Sequence, residues 1–253
     1  VSEGASGVAL LLDDLEAEQR DLLDVVGALT PDEWLTPTPA WGWDVRDTIA
    51  HLADTDELAV GTATGGEYAL NAHADRAASS EDVTYHGVLR GRRLPGADVG
   101  AWWYRSSGAV RATLGGLPAD ARIPWGIGMR TPSLITARMM ETWAHGLDVR
   151  AALGVSAYDS DRLAHVAWLA TRALPYAFSV AGREMPSAPL RIELQLPSDA
   201  VWTYGPENAA DRITGSAGDY CRVFVHRRSR TDTSLVIEGD AAEAAITVAR
   251  AYL

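Results

Sequence analysis

The segment Thr136-Ala-Arg-Met-Met-Glu-Thr-Trp-Ala-His-Gly-Leu-Asp148 carries four polar side chains at helical spacing. Glu141 and His145 stand four residues apart, which places them on one face of a helix. Arg138 and Asp148 lie three residues outside them, on nearly the same face. Beside Met139, Met140, Ala144 and Leu147, such a stripe is not solvated decoration. Two arrangements account for it. One is a buried ion-pair ladder, Arg138 to Glu141 and His145 to Asp148. The other is a metal face, in which Glu and His at i and i+4 supply two ligands and another helix supplies the third. His51, in the apolar run Ile49-Ala-His-Leu-Ala53, is the natural third ligand. Alone it would read as a satisfied core histidine; the need of Glu141 and His145 for a partner is what singles it out.

The elements that must position these residues can be read from periodicity and caps. Val8, Leu11, Leu12, Leu15, Leu22, Val25, Val26 and Leu29 predict an amphipathic helix over about 6–29. Thr30-Pro31-Asp32-Glu33 is a helix-start signature opening a short turn with Trp34. The stretch from Thr36 to Trp43 is too rich in proline for a helix. Asp44 can cap the next one, whose stripe is Val45, Thr48, Ile49 and Leu52. Residues 61–97 have no clean period and read as a long loop with helical fragments, holding His73, Tyr85 and His86. Further helices are expected over 98–116, from Thr131-Pro132 to Gly154, and from Asp159 to Val180 with a break near Pro175.

The pattern changes after Pro186. Leu190 to Leu196 alternates as a half-buried strand, Val201–Tyr204 is a second, Arg212–Thr214 a third and Leu235–Glu238 a fourth. Ala217, Tyr220, Cys221, Phe224 and Val225 show helical spacing, and Asp240-Ala-Ala-Glu243 reads as a capping box for a last helix. The expected class is α+β, with a helical bundle over 1–185 and a small α+β domain over 186–253.

Composition narrows the function. The chain has 253 residues, 22 basic against 34 acidic, and a formal net charge of −12. Every basic residue is arginine. An acidic chain is a poor candidate for neutralising nucleic-acid phosphates and is repelled by anionic membrane surfaces. Without lysine there is no Schiff base and no P-loop lysine. A single cysteine, Cys221, excludes an intrachain disulfide, and its apolar neighbours mark it as core rather than nucleophile. No secretory signal or membrane-spanning run is present, so a cytoplasmic location is expected.

Two segments carry a family resemblance. Trp41-Gly-Trp-Asp-Val-Arg-Asp-Thr-Ile-Ala-His-Leu52 resembles one signature of the DinB-like bundle proteins, in the branch containing mycothiol-dependent maleylpyruvate isomerase. Arg138-Met-Met-Glu-Thr-Trp-Ala-His-Gly-Leu-Asp148 resembles that branch's second signature. The chain is most similar to an actinobacterial metal-binding subfamily, in which segments like Pro124-Trp125-Gly126, Trp202–Gly205 and Val225–Arg228 recur. The resemblance implies a DinB-like four-helix bundle followed by a sterol-carrier-protein-like domain.

It also implies a metal held by His51, Glu141 and His145, with Asp148 accepting a ligand histidine's N–H. Zinc leads; the same donors suit Fe²⁺ or Ni²⁺. Mycothiol is the implied co-substrate, its thiolate adding to a small electrophilic substrate in an isomerase or S-transferase reaction. The alternatives are a thiol-independent metalloenzyme in a specialised biosynthetic or catabolic pathway, and a non-catalytic protein binding a metal or small ligand. Arg138 is expected to neutralise Glu141 or reach a substrate carboxylate. His86, with Tyr85, and the cluster Trp102-Trp103-Tyr104 are expected to line a pocket above the metal, unless these tryptophans are bundle core. Arg227 and Arg228 are the expected carboxylate-binding arginines of the C-terminal domain, or else a solvated helix end. The remaining partners expected are a small-molecule substrate, no nucleic acid and no membrane, for a monomer or homodimer.

Overall fold

A computed structural model describes residues 3–66, 80–125 and 128–251. The chain divides into two compact units, residues 1–157 and 158–253.

The first unit is a helical bundle. Its helices are α1 (Glu3–Val26), α2 (Val45–Gly65), α3 (Ser80–Gly91), α4 (Gly96–Gly115) and α5 (Thr131–Ala152). A two-residue antiparallel ribbon, β1 (Arg122–Ile123) with β2 (Met129–Arg130), precedes α5. α2 packs on α3, α4 and α5, and α1 packs on α4 and α5. The core joins Leu22 and Val26 of α1 to Val45, Ile49 and Leu52 of α2, and to Val99, Trp102 and Trp103 of α4. Burying this apolar stripe, at roughly 25 cal/mol per Å², is what holds helices of only modest intrinsic stability.

The start of α2 is set locally. Asp44 Oδ1 accepts from the Asp47 N–H at 2.8 Å, and Asp47 Oδ2 accepts from the Asp44 N–H at 3.4 Å. This reciprocal pair satisfies two N–H groups that a helix leaves open. Just upstream, the Thr38 N–H and Thr38 Oγ1–H both donate to the Trp43 carbonyl, at 2.9 and 3.1 Å. A bridge between Pro37 and Asp44 closes the same loop. The prolines thus build a compact loop that delivers Trp43 at the entrance of α2.

The region expected as a long loop is largely helical where it is described. α2 continues to Gly65, and Ser80–Gly91 forms α3; His73 lies outside the described residues. Packing, not amphipathic periodicity, makes α3. At Gly87 a Cβ would stand 2.5 Å from the Asp54 Cβ and 2.9 Å from the Ala50 carbonyl oxygen. At Gly91 it would stand 2.4 Å from the Ala50 Cβ. The two glycines let the α3 backbone lie directly on α2.

The second unit contains α6 (Leu163–Arg172), α7 (Leu174–Val180), a four-stranded sheet and two further helices, α8 (Ala217–Phe224) and α9 (Asp240–Thr247). The strands are β3 (Leu190–Gln195), β4 (Val201–Tyr204), β5 (Asp211–Ser216) and β6 (Val236–Glu238), in the order β4-β3-β5-β6. β3 pairs in parallel with β5, Ile192 opposite Ile213; the other pairings are antiparallel. The change of pattern near residue 186 is therefore not where the compact units divide. α6 packs on α8, Thr171 and Tyr220 share a hydroxyl hydrogen bond of 2.9 Å, and Cys221 donates to the Leu163 carbonyl at 3.7 Å. The predicted break near Pro175 falls at Ala173, between α6 and α7.

The capping box expected at Asp240 does not form. Asp240 is already helical, and Asp211 of β5 takes the capping role by accepting from the Ala241 N–H at 2.7 Å. Glu243 instead pairs with Arg230. The α+β class read from the sequence is the class observed. Among the described residues no helix is long and apolar enough to cross a membrane.

Candidate metal centre

α5 is buried around most of its circumference, so its polar groups must find partners inside the bundle. Glu141 Oε2 lies 3.4 Å from His145 Nε2 on the next turn and 3.7 Å from His51 Nε2 on α2. One ligand atom from each of the three lies within 4.8 Å of the others. Ligands at about 2.0–2.2 Å around a tetrahedral ion stand roughly 3.3 Å apart, so the two contacts to Glu141 are already close to a coordinating separation. The imidazole rings of His51 and His145 meet edge-on at 4.9 Å.

The protonation states suit metal ligation, which requires a neutral imidazole and an ionised carboxylate. Burial pushes His51 below its ordinary value, outweighing the pull of Glu141. Burial alone would raise the Glu141 carboxyl; the adjoining His145 and His51 overcome it and hold the group well below the usual carboxylate range. Asp148 Oδ2 stands 3.4 Å from His145 Nδ1, on the far side of the ring from Glu141. A carboxylate there favours the tautomer with the proton on Nδ1 and the lone pair on Nε2. The donor set therefore fits a divalent ion.

The polar stripe of α5 thus splits between two tasks. The His145–Asp148 half of the ion-pair ladder is present, but Arg138 turns away from Glu141 for its hydrogen bonds. Its Nε donates to Asp56 Oδ1 at 2.8 Å and its Nη2 to Thr55 Oγ1 at 2.9 Å. Arg138 is 2% exposed and Asp56 1%. A buried guanidinium already engaged in this way is poorly placed to reach a substrate carboxylate. Trp103 joins the same network, its fully buried indole donating to Asp56 Oδ2 at 3.2 Å. Trp102 is also core, whereas the Tyr104 side chain is 68% exposed.

His86 Nδ1 stands 3.2 Å from Asp54 Oδ1, and Asp54 is one helical turn beyond His51. Arg227 and Arg228 follow α8 in the second unit. Arg227 Nη1 donates to the Val225 carbonyl at 2.7 Å, and Arg228 Nη1 to Asp219 Oδ1 at 2.6 Å. Cys221 is fully buried, and burial pushes its thiol far above the ordinary value. That is the environment of an inert core thiol.

Trp43 was not among the residues singled out by spacing. Its ring stacks on His145 at 6.1 Å and 20°, meets His51 at 5.1 Å, and meets Tyr85 edge-on at 6.4 Å. Its place in the Trp41–Leu52 segment, just ahead of a helix cap and a ligand histidine, is the signal that points to it.

The model for the mycothiol maleylpyruvate isomerase N-terminal domain matches residues 15–150, the span that holds the whole triad. The chain belongs to this family. Two uncharacterized proteins of Mycobacterium tuberculosis, one from strain CDC 1551 / Oshkosh and one from strain ATCC 25618 / H37Rv, are each 35% identical to it over 240 residues. Those alignments cover 94% of this chain and 93% of each relative. The crystal structure of the mycothiol-dependent maleylpyruvate isomerase superposes with a TM-score of 0.59 at 14% identity, over 92% of this chain and 96% of that one. A mutant of that isomerase gives the same TM-score and coverage at 15% identity. At such identity the likeness establishes a shared fold.

Proposed function

We propose that this member of the family is a divalent-metal-dependent enzyme that acts on a small electrophilic metabolite with mycothiol as co-substrate. The observation that carries the proposal is the triad of His51, Glu141 and His145, with one ligand atom from each within 4.8 Å of the others. Zinc is the metal this set suits first. Held by these three residues, such an ion would supply the Lewis acidity that lowers the pKa of a thiol.

The chain's own residues prepare that position. Glu141 contributes the negative charge and His51 a lone pair, each held in the required state by its surroundings. Asp148 Oδ2, 3.4 Å from His145 Nδ1, favours a proton on that nitrogen and so leaves the Nε2 lone pair facing Glu141. Trp43 stacks on the His145 ring and meets the His51 ring at 5.1 Å, packing against both ligand imidazoles.

His86 is the proposed proton carrier. Asp54 beside its Nδ1 sets the tautomer with the basic lone pair on Nε2. The thiol proton leaves, a carbon–sulfur bond forms at the electrophilic carbon, and the proton is returned to the adjacent carbon. For isomerisation, His86 removes that carbon-bound proton again after rotation about the single bond, and it leaves with the thiol; retention of the sulfur gives S-transfer.

Metal analysis of protein purified without chelator tests the proposal. A stoichiometric divalent ion in the wild type, lost in His51→Ala and His145→Ala, is the expected result. Full occupancy in His51→Ala would sink the triad. Mycothiol at millimolar concentration should raise the melting temperature of metal-loaded protein. No stabilisation there would favour a metalloenzyme that uses no thiol.

A further inference from the structure

We propose that Arg92 is a positioning residue for the metal centre: it ties the loop carrying Trp43 to the first turn of the helix carrying His51, and so fixes Trp43 against both ligand histidines. The inference rests on the triad being a metal site.

Arg92 directly follows α3. Its Nη2 donates to Asp47 Oδ2 at 2.7 Å, and its Nε lies 3.1 Å from both Asp47 oxygens. The same Nη2 donates to the Gly42 carbonyl at 2.9 Å. Asp47 is 1% exposed and belongs to the α2 capping box, so its charge requires a partner with several donors. A guanidinium can hold a carboxylate through two nitrogens and still reach a carbonyl; an ammonium cannot reproduce that fork.

The carbonyl it reaches belongs to the peptide bond between Gly42 and Trp43. The guanidinium also lies over the Tyr85 ring, 5.6 Å from its centroid. Tyr85 meets the edge of Trp43, and Trp43 meets His145 and His51. One side chain therefore fixes the Trp43 backbone, supports the aromatic ring beside it, and anchors both to the turn that leads into His51. Groups that orient ligand imidazoles typically matter tenfold or more in metal affinity.

The structure supplies its own control. Arg90, on the same pair of helices, donates to Glu57 at 2.6 Å and covers the Trp102 ring at 3.9 Å. It braces α3 on α2 through Glu57 instead of Asp47. Arg90 therefore reports what loss of an α3–α2 brace does without the Gly42 and Tyr85 contacts.

The test uses the full chain stripped of metal and titrated with Co²⁺, read by visible absorption, which reports coordination rather than folding. Arg92→Ala should weaken Co²⁺ binding by about tenfold, and Arg90→Ala by less than about twofold. On a Trp43→Ala background, Arg92→Ala should add less than about twofold, because contacts in series are not additive. Trp43→Phe serves as the background if Trp43→Ala does not fold. Equal effects of the two arginine variants, full additivity with Trp43, or unchanged Co²⁺ affinity in Arg92→Ala would overturn the proposal alone. Failure of the wild type to take up Co²⁺ would remove the triad reading and this inference with it.

Discussion

Arg138 on α5 donates from Nε to Asp56 on α2 at 2.8 Å, with both side chains almost wholly withdrawn from water. Thr55 and Trp103 take up further polar atoms of the pair. The pair fastens together the two helices that carry the triad. Removing one partner strands a buried charge, which costs about 3–5 kcal/mol. Asp56→Ala should lower stability by that amount in denaturant unfolding. An Asp56→Leu/Arg138→Met double variant should recover most of the loss and still take up metal. Loss of metal from a well-folded double variant would return Arg138 to the centre itself.

Asp148 lies behind His145 rather than in the triad. Asp148→Ala leaves all three ligands in place but frees the ring to rotate or change tautomer. Metal affinity should drop about 10–100-fold, measured by competition with a chromophoric chelator. Unchanged affinity would show that helix packing alone orients His145.

Gly87 tests the seat of α3. The added methyl of Gly87→Ala meets the Asp54 side chain and the Ala50 carbonyl. Overpacking of this kind costs about 1–3 kcal/mol. Because Asp54 also holds His86, the variant should lose turnover more than metal. Metal content and turnover, measured on the same preparation, separate the two effects.

Glu193 gives a pH-dependent prediction in the second unit. Arg191 hydrogen-bonds it, Arg212 adds a second bond, and together they hold its carboxyl below the ordinary 4.5. A depressed carboxyl contributes stability above its unfolded value and loses it as pH falls through the folded value. The wild type should therefore exceed Glu193→Gln in denaturant midpoint near neutrality. That lead should shrink as the pH drops below 4.5, and a lead independent of pH would contradict the assignment.

Local signals were legible in the sequence. Asp44 as a cap, Thr131-Pro132 as a helix start and the Glu141–His145 spacing are decided by residues within one or two turns of each other. The third ligand was not local: His51 had to be matched to its partners by need and by resemblance. Partners chosen by tertiary packing were not legible. Nothing near Arg138 points to Asp56, and nothing near Asp240 points to Asp211 as the group that caps α9. α3 was legible only as a helical fragment in a loop because Gly87 and Gly91 contribute through close approach, which has no apolar period. α6 and α7 resemble further bundle helices in sequence, yet Tyr220 and Cys221 bind α6 to the sheet unit.

The triad draws His51 from α2 and both its other members from α5, elements that come together only in the closed bundle. A ligand bound by that set favours the folded chain by mass action, by about 2.7 kcal/mol at a hundredfold excess over its dissociation constant. The cell's supply of that ion would then govern how much of the protein survives proteolysis, as well as how much of it is active. Metal starvation should lower the abundance of this chain, and a variant lacking His51 should show that low abundance whatever the supply.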